Sequence, residues 1–203
     1  MRRSLFALAA AASLMLPVSA FAEPKIGEPA PAFAVKDAAG KDVSLDGLAG
    51  KIVVLEWNNF GCPFVQKHYG AGNMQAVQKA ATADGVVWLS VFSSAEGKEG
   101  HMTAEAALAE MKKQGAAASH VIIDADGTLG KLYGAKTTPH MFVIDTKGNV
   151  AYMGAIDDKP SADAADIKGA KNYVTEALAA LKAGKPVVDA NTKPYGCGVK
   201  YAE

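Results

Sequence analysis

Two cysteines, Cys62 and Cys197, are the residues of this 203-residue chain whose type and setting best suit chemistry. Cys62 follows the apolar run Ile52-Val53-Val54-Leu55-Glu56-Trp57 and the turn Asn58-Asn59-Phe60-Gly61, and it opens Cys62-Pro63-Phe64-Val65. Proline is tolerated in the first turn of a helix, where its missing N–H would have had no helical partner. The pattern therefore predicts a buried strand that turns and delivers one thiol to a helix N-terminus. Free N–H groups and the helix dipole at such an end favour thiolate over thiol, which lowers a cysteine's pKa and makes it nucleophilic. An inert buried cysteine is the alternative reading.

Glu56 stands six positions before Cys62, inside an otherwise apolar strand where an unpaired carboxylate is costly to bury. Burial would raise its pKa towards neutral, as a general acid–base needs, which makes it the candidate base. The competing reading is a strand-end glutamate that reaches solvent. Cys197 lies between Gly196 and Gly198, and flanking glycines allow backbone shapes that let a thiol meet a partner. His140 directly follows Pro139, so its ring either lies close to Cys62 or points into the sheet. His68, six residues beyond Cys62, is carried round the helix away from the thiol. Asp124-Ala125-Asp126-Gly127 hints at a calcium loop, but its glycine comes too early and no glutamate closes it, so a turn is expected.

These residues need a scaffold, and the hydrophobic pattern outlines one. Phe33–Lys36 and Asp42–Leu45 read as a hairpin, and Ile52–Trp57 as a strand covered on both faces. A helix follows from Cys62 to about Tyr69; Gly70 and Gly72 bend or break it, and Asn73 caps its resumption through Ala81. Val86–Phe92 is a second buried strand, Thr103–Gln114 a helix, Val121–Ile123 a short strand, and a brief helix ends at Tyr133. Met141–Ile144 and Val150–Met153 form a hairpin around Thr146-Lys147-Gly148-Asn149. A last helix places Ile167, Ala170, Val174, Ala177, Leu178 and Leu181 on one face and stops at Gly184. Strands alternating with helices and a closing antiparallel hairpin give a three-layer α/β sandwich with a mixed central sheet. One domain is expected over residues 23–184. Residues 185–203 form a tail without helical or strand periodicity, carrying Cys197.

The N-terminus has a different character. Arg2 and Arg3 precede an apolar run from Leu5 to Val18, and Ala20-Phe21-Ala22 supplies small residues for cleavage. Residues 1–22 thus read as a secretory signal peptide cut after Ala22, and the run is too short to span a membrane. Export, most simply to a bacterial periplasm, is the expected localisation, with no membrane association afterwards. Without the leader, 19 lysines face 21 acids and no arginine remains. Scattered lysines and a near-neutral charge give no basis for a nucleic-acid partner. In an oxidising compartment a disulfide between the two cysteines is chemically permitted.

The stretch Lys51–Tyr69 resembles the thioredoxin-like superfamily and, within it, the alkyl hydroperoxide reductase/thiol-specific antioxidant (redoxin) family. Cys62-Pro63-Phe64-Val65 keeps the first cysteine of the thioredoxin Cys-x-x-Cys pattern and has Val65 in place of the second. Lys136-Thr137-Thr138-Pro139-His140 resembles the loop whose cis-proline faces that cysteine, and the likeness extends over about Ile26–Leu181. The resemblance implies a buried acid at Glu56 that relays protons beneath the thiol. It also implies a cis bond before Pro139 that frees the backbone of Thr138 to pair with an extended substrate, with Pro63 and His140 beside it.

Four functions compete. In thiol–disulfide exchange Cys62 attacks a disulfide; a resolving thiol must then release the mixed disulfide, and Cys197 is the only internal candidate. Closing a loop this long would, in the chain-entropy model, stabilise the oxidised form by on the order of 5 kcal/mol. A hydroperoxidase is suggested by the family name, but peroxiredoxins place Pro and Thr or Ser seven and three positions before their reactive cysteine, where this chain has Leu55 and Asn59. They also use an arginine that the mature chain lacks. A copper carrier would have to use Cys62, Cys197 and His140 as soft ligands. A non-catalytic scaffold is the fourth. The expected function is therefore thiol exchange, with no cofactor and no metal. The expected partners are a protein or small-molecule disulfide or hydroperoxide and a redox partner protein.

Overall fold

The computed structural model describes residues 23–202. The leader assigned to residues 1–22 lies outside the described residues, within which no helix is long and apolar enough to cross a membrane.

Every second residue of the central strand, β3 (Val53–Trp57), points to the same face, and the whole strand is buried. Val53, Leu55 and Trp57 face one side with Phe33, Leu129, Tyr133 and Phe142. Val54 faces the other, in a cluster with Cys62, Val65, Tyr69, Met74, Trp88, Val174 and Ala177. Around β3 a five-stranded sheet runs in the order β5-β4-β3-β7-β8, where β4 is Val87–Phe92, β5 is His120–Ile123, β7 is His140–Ile144 and β8 is Val150–Gly154. β3, β4 and β5 are parallel, whereas β7 and β8 run antiparallel to their neighbours. A separate hairpin, β1 (Ala34–Lys36) with β2 (Asp42–Ser44), precedes them.

Helices cover both faces. α1 (Pro63–Gly70), α2 (Asn73–Ala83) and α5 (Tyr173–Lys182) contribute to the cluster around Val54. α4 (Thr128–Tyr133) packs Leu129 and Tyr133 against Trp57 on the opposite face. α3 (Ala104–Lys113) sets Ala107 and Met111 against Phe92 and Val121. Its start is fixed by Thr103, whose hydroxyl accepts from Ala106 N–H at 3.2 Å. The result is the predicted three-layer sandwich with a mixed sheet.

Three local readings change. Asn73 is not the cap of α2: Gly72 is, with φ of 72°, and Asn73 turns its amide to His68 instead. A left-handed residue is needed between the two helices, and glycine takes it without strain. The last helix begins at Tyr173, capped by the side chain of Asn172, so Ile167 lies in a separate 3-10 turn, Ala164–Ile167, and Ala170 lies outside the helix. Gly169, with φ of 121°, interrupts the apolar period that joined them. Finally, the tail contains a short strand, β9 (Cys197–Gly198), paired antiparallel with β6 (Thr137–Thr138).

Candidate active site

The turn after β3 is built to present one atom. Asn58 N–H still donates to Val91 O at 2.8 Å, but Asn59 leaves the ladder. Its side-chain oxygen accepts from Gly61 N–H at 2.9 Å, and its amide donates to Glu99 Oε2 at 3.1 Å. A Cβ on Gly61 would lie 1.8 Å from Glu99 Oε1, so any larger residue there would make the Glu99 carboxylate move. Cys62 becomes the N-cap of α1 with Pro63 at the helix start. Val65 is buried where a second cysteine would stand in Cys-x-x-Cys.

Cys62 is only 1% exposed, and the tail is what lies across it. Cys197 pairs with Thr138 and Gly198 with Thr137. Cys197 N–H points at Cys62 Sγ from 3.4 Å, and Val199 N–H donates to Lys136 O at 3.1 Å. The edge expected to receive an extended substrate is thus paired with the chain's own C-terminal segment. The Thr138–Pro139 bond is cis. Both cysteines are free thiols.

The two sulfurs divide their roles electrostatically. Burial works against charge on Cys62, but the donors gathered near its sulfur, the Cys197 thiol and N–H, Val65 N–H and the Thr138 hydroxyl, outweigh it and hold its pKa below the ordinary value. The Thr138 hydroxyl is buried without a hydrogen-bond partner. As a thiol, Cys62 donates to Thr138 O at 3.1 Å. Cys197 moves the other way: burial, its hydrogen bond to Cys62 and the nearby charges of Cys62 and Glu99 push it to about 12. Cys62 ionises first, and Cys197 keeps its proton while the thiolate is present.

Gly196 makes this approach possible. Its φ is 138°, and a Cβ there would stand 2.1 Å from Thr138 O. Gly196→Ala is expected to lift the tail, because a strained backbone residue costs about 1–3 kcal/mol. Alkylation of Cys62 in the reduced protein should then quicken about tenfold, the equivalent of ~1.4 kcal/mol. An unchanged alkylation rate would show that the tail does not shield the thiol.

Glu56 sits elsewhere in the network. Its Oε1 accepts from Asn58 and Tyr69, and its Oε2 from Gln78, Trp88 and Ser90, at 2.8–3.1 Å. Neither thiol is among its partners. Burial outweighs these donors and raises its pKa above the ordinary value. The folded protein therefore holds this proton to higher pH than the unfolded chain. That contribution to stability is fully present below the unfolded value, about 4.3, and is lost as pH rises through the folded one. Glu56→Gln places an NH₂ among five donors and is expected to destabilise the fold by about 2 kcal/mol. It should also flatten the decline of stability above pH ~4.3. Denaturant titrations at a series of pH values would check both.

His140 is resolved in favour of the sheet. It shares the face of Phe142, with ring centroids 4.6 Å apart, and its Nδ1 accepts from Lys136 N–H at 3.2 Å. Burial, helped by Lys136, lowers its pKa to about 3, so the ring is neutral. The two cysteines meet, but His140 does not join them. No cluster of three or more His, Cys, Asp or Glu placed to hold a metal occurs among the described residues. Asp124 forms the expected turn and accepts from Leu129 and Gly130 N–H at 2.8 Å, fixing the start of α4.

Sequence reading passed over a second buried cluster beside α1. Lys67, His68 and Asp157 are all within it, together with Tyr195 from the tail. The available signal was a tyrosine two positions before Cys197.

A family model described as AhpC/TSA matches residues 26–153. The chain belongs to the AhpC/TSA family. Its fold is that of an uncharacterized conserved protein from Geobacillus kaustophilus, at 23% identity and a TM-score of 0.75 over 88% of this chain and 93% of the other. A hypothetical protein from Sinorhizobium meliloti 1021 is similar at 24% identity and a TM-score of 0.73, covering 89% and 97%. A putative thiol:disulfide interchange protein DsbE from Chlorobium tepidum is 25% identical with a TM-score of 0.50, covering 64% and 85%. No curated protein matches the chain. The fold is thioredoxin-like, and membership of the redoxin family supports an oxidoreductase function.

Proposed function

We propose that this redoxin is an exported thiol–disulfide oxidoreductase with Cys62 as nucleophile and Cys197 as resolving thiol. The observation that carries this reading is the seating of Cys197 over Cys62, its N–H 3.4 Å from the sulfur across 135 residues of sequence. An idle tail cysteine has no reason to share a hydrogen-bonded strand with the cis-proline loop.

The chemistry follows from the two pKa directions. The Cys62 thiolate attacks one sulfur of a disulfide; a Cys62 mixed disulfide forms, and the other sulfur leaves as a thiolate that takes a proton from solvent. Cys62 is then uncharged, which removes the hydrogen bond and repulsion by which its thiolate adds to burial in holding the Cys197 proton. Cys197 gives its proton to solvent and attacks Cys62 Sγ, forming the Cys62–Cys197 disulfide and expelling the second substrate sulfur as a thiolate that takes a proton from solvent. The protein is oxidised by two electrons and the substrate reduced to two thiols; a partner dithiol reverses the sequence. Thr138 and Pro139 supply the pairing edge, and Pro63 opens the helix that supports the thiolate. We assign to Glu56 the fixing of the strand-to-helix corner through Asn58 and Tyr69, with any proton relay passing through those groups.

A hydroperoxide would reach the same oxidised end state through a sulfenic acid at Cys62. The described residues contain no arginine to polarise a peroxide, and Asn59 is committed to Gly61 and Glu99. Exposing the pre-reduced protein to hydrogen peroxide or to a small disulfide separates the two. Faster oxidation by the disulfide supports exchange; faster oxidation by peroxide makes this a two-cysteine peroxidase.

A further inference from the structure

The tail crosses the site held at both ends. Upstream, Thr192 Oγ1 contacts Tyr152 and accepts from Ala155 N–H at 3.0 Å. Downstream, the Tyr201 ring lies on Gly127 and Gly130, and its hydroxyl donates to Ala135 O at 2.8 Å. Between them stands Tyr195, whose surroundings differ from those of the rest of the tail. Its hydroxyl donates to Asp157 Oδ1, and its oxygen lies 3.2 Å from His68 Nε2. Its ring meets Phe64 edge-on and lies 5.6 Å from Lys67 Nζ.

The groups receiving Tyr195 are buried and mutually satisfied. The Asn73 amide donates to His68 Nδ1 at 2.8 Å, which leaves the proton on Nε2, pointing to the Tyr195 oxygen. Burial, opposed by Asp157 and helped by Lys67, lowers the His68 pKa to about 4 and keeps the ring neutral. Lys67 Nζ donates to Lys159 O at 2.8 Å and stands 3.8 Å from Asp157 Oδ2. The side chains of Lys67 and His68 are 0% exposed and that of Asp157 1%. A buried charged network of this kind contributes little to net stability compared with an apolar core, but it accepts one geometry. The hydroxyl of Tyr195 completes it, and Cys197 is two residues further on.

We propose that Tyr195 is a positioning residue for the resolving thiol, docked into the Asn73–His68–Asp157–Lys67 network so that Cys197 stays beside Cys62 when the intervening strand is displaced. A disulfide substrate must lift β9 from Thr138 to reach Cys62. Gly196 and Gly198 flank Cys197 and let that segment move. With Tyr195 held, the Cys197 backbone remains within about 7 Å of its anchor, the span of two extended residues. Resolution is then an intramolecular step at high effective concentration. This rests on the exchange reading above.

The test is a glutathione equilibrium. The reduced protein and its Tyr195→Phe variant are placed in buffers of fixed oxidised-to-reduced glutathione ratio. Mass spectrometry then quantifies the Cys62–glutathione adduct and the Cys62–Cys197 disulfide. In the parent protein the internal disulfide should dominate. Loss of a hydrogen bond to a charged partner should lower the ratio of internal disulfide to adduct at least about tenfold in Tyr195→Phe. Asp157→Asn should move it in the same direction. The urea midpoint of the reduced Tyr195→Phe protein reports the accompanying loss of stability; a merely structural tyrosine would shift that midpoint and leave the ratio unchanged. A ratio within about twofold of the parent in both variants overturns the proposal while leaving exchange intact. If the parent protein forms neither species, the exchange reading fails, and the role assigned to Tyr195 falls with it.

Discussion

Cys62→Ser is expected to reduce reaction with disulfides to the uncatalysed background, a loss of at least about a thousandfold, the scale of removing a nucleophile outright. A serine hydroxyl does not ionise near neutral pH, so the N–H of Cys197 and the start of α1 have no anion to stabilise. The fold should survive, because Cys62 caps the helix through its backbone alone: its side chain makes no capping bond, and Val65 and Gln66 N–H donate to its carbonyl. The check is the rate of reduction of a chromogenic aromatic disulfide by the pre-reduced variant. Activity within tenfold of the parent would move the chemistry to Cys197 and dismantle the site described here.

Cys197→Ser is expected to give the second large effect, on a different step. The first attack proceeds, and the mixed disulfide at Cys62 then accumulates because no internal thiol expels it. Tethered groups work at effective concentrations on the order of millimolar. A micromolar external thiol should therefore release the substrate about a hundredfold or more slowly. The adduct mass in a non-reducing spectrum reports this directly. Cys197→Ala adds a second readout, since serine retains an O–H donor to the Cys62 sulfur and alanine does not. The Cys197 thiol is among the donors that lower the Cys62 pKa. The midpoint of the alkylation–pH profile should accordingly lie at higher pH in Cys197→Ala than in Cys197→Ser. Identical midpoints would mean that the tail's backbone N–H, common to both, supplies the tail's share of the effect.

The features legible in the sequence are those encoded by local, repeated signals. The run Ile52–Trp57 reads as a strand covered on both faces, and Pro63 after Cys62 suits a helix's first turn; the structure has β3 over Val53–Trp57 and α1 from Pro63. Thr138-Pro139 was placed opposite the thiol by resemblance, and the structure brings Thr138 O to 3.1 Å from Cys62 Sγ. The position of Cys197 was open because its ladder is two residues long, too short for periodicity to register. What fixes the tail is a set of single contacts: Thr192 against Gly154, Tyr195 in the Asp157 network and Tyr201 over Gly130. Each pairs one tail residue with a position distant in sequence, and no window along the chain contains both. His68 shows the same limit. Helical geometry correctly turned it away from Cys62, but could not indicate that the tail would return to meet it. Glu56 was recognised as a buried acid. Its five donors come from the turn after β3, α1, α2 and β4, so their convergence required the assembled fold.

The most direct test of the central claim is a time-resolved, non-reducing mass spectrum of the pre-reduced protein mixed with one equivalent of a small-molecule disulfide. The account predicts an early adduct located on Cys62. It should give way to a monomer lighter than the reduced protein by two hydrogens, with Cys62 and Cys197 joined in one peptide pair. An adduct that persists in the parent protein, or a Cys62–Cys197 link found only between two chains, would contradict it.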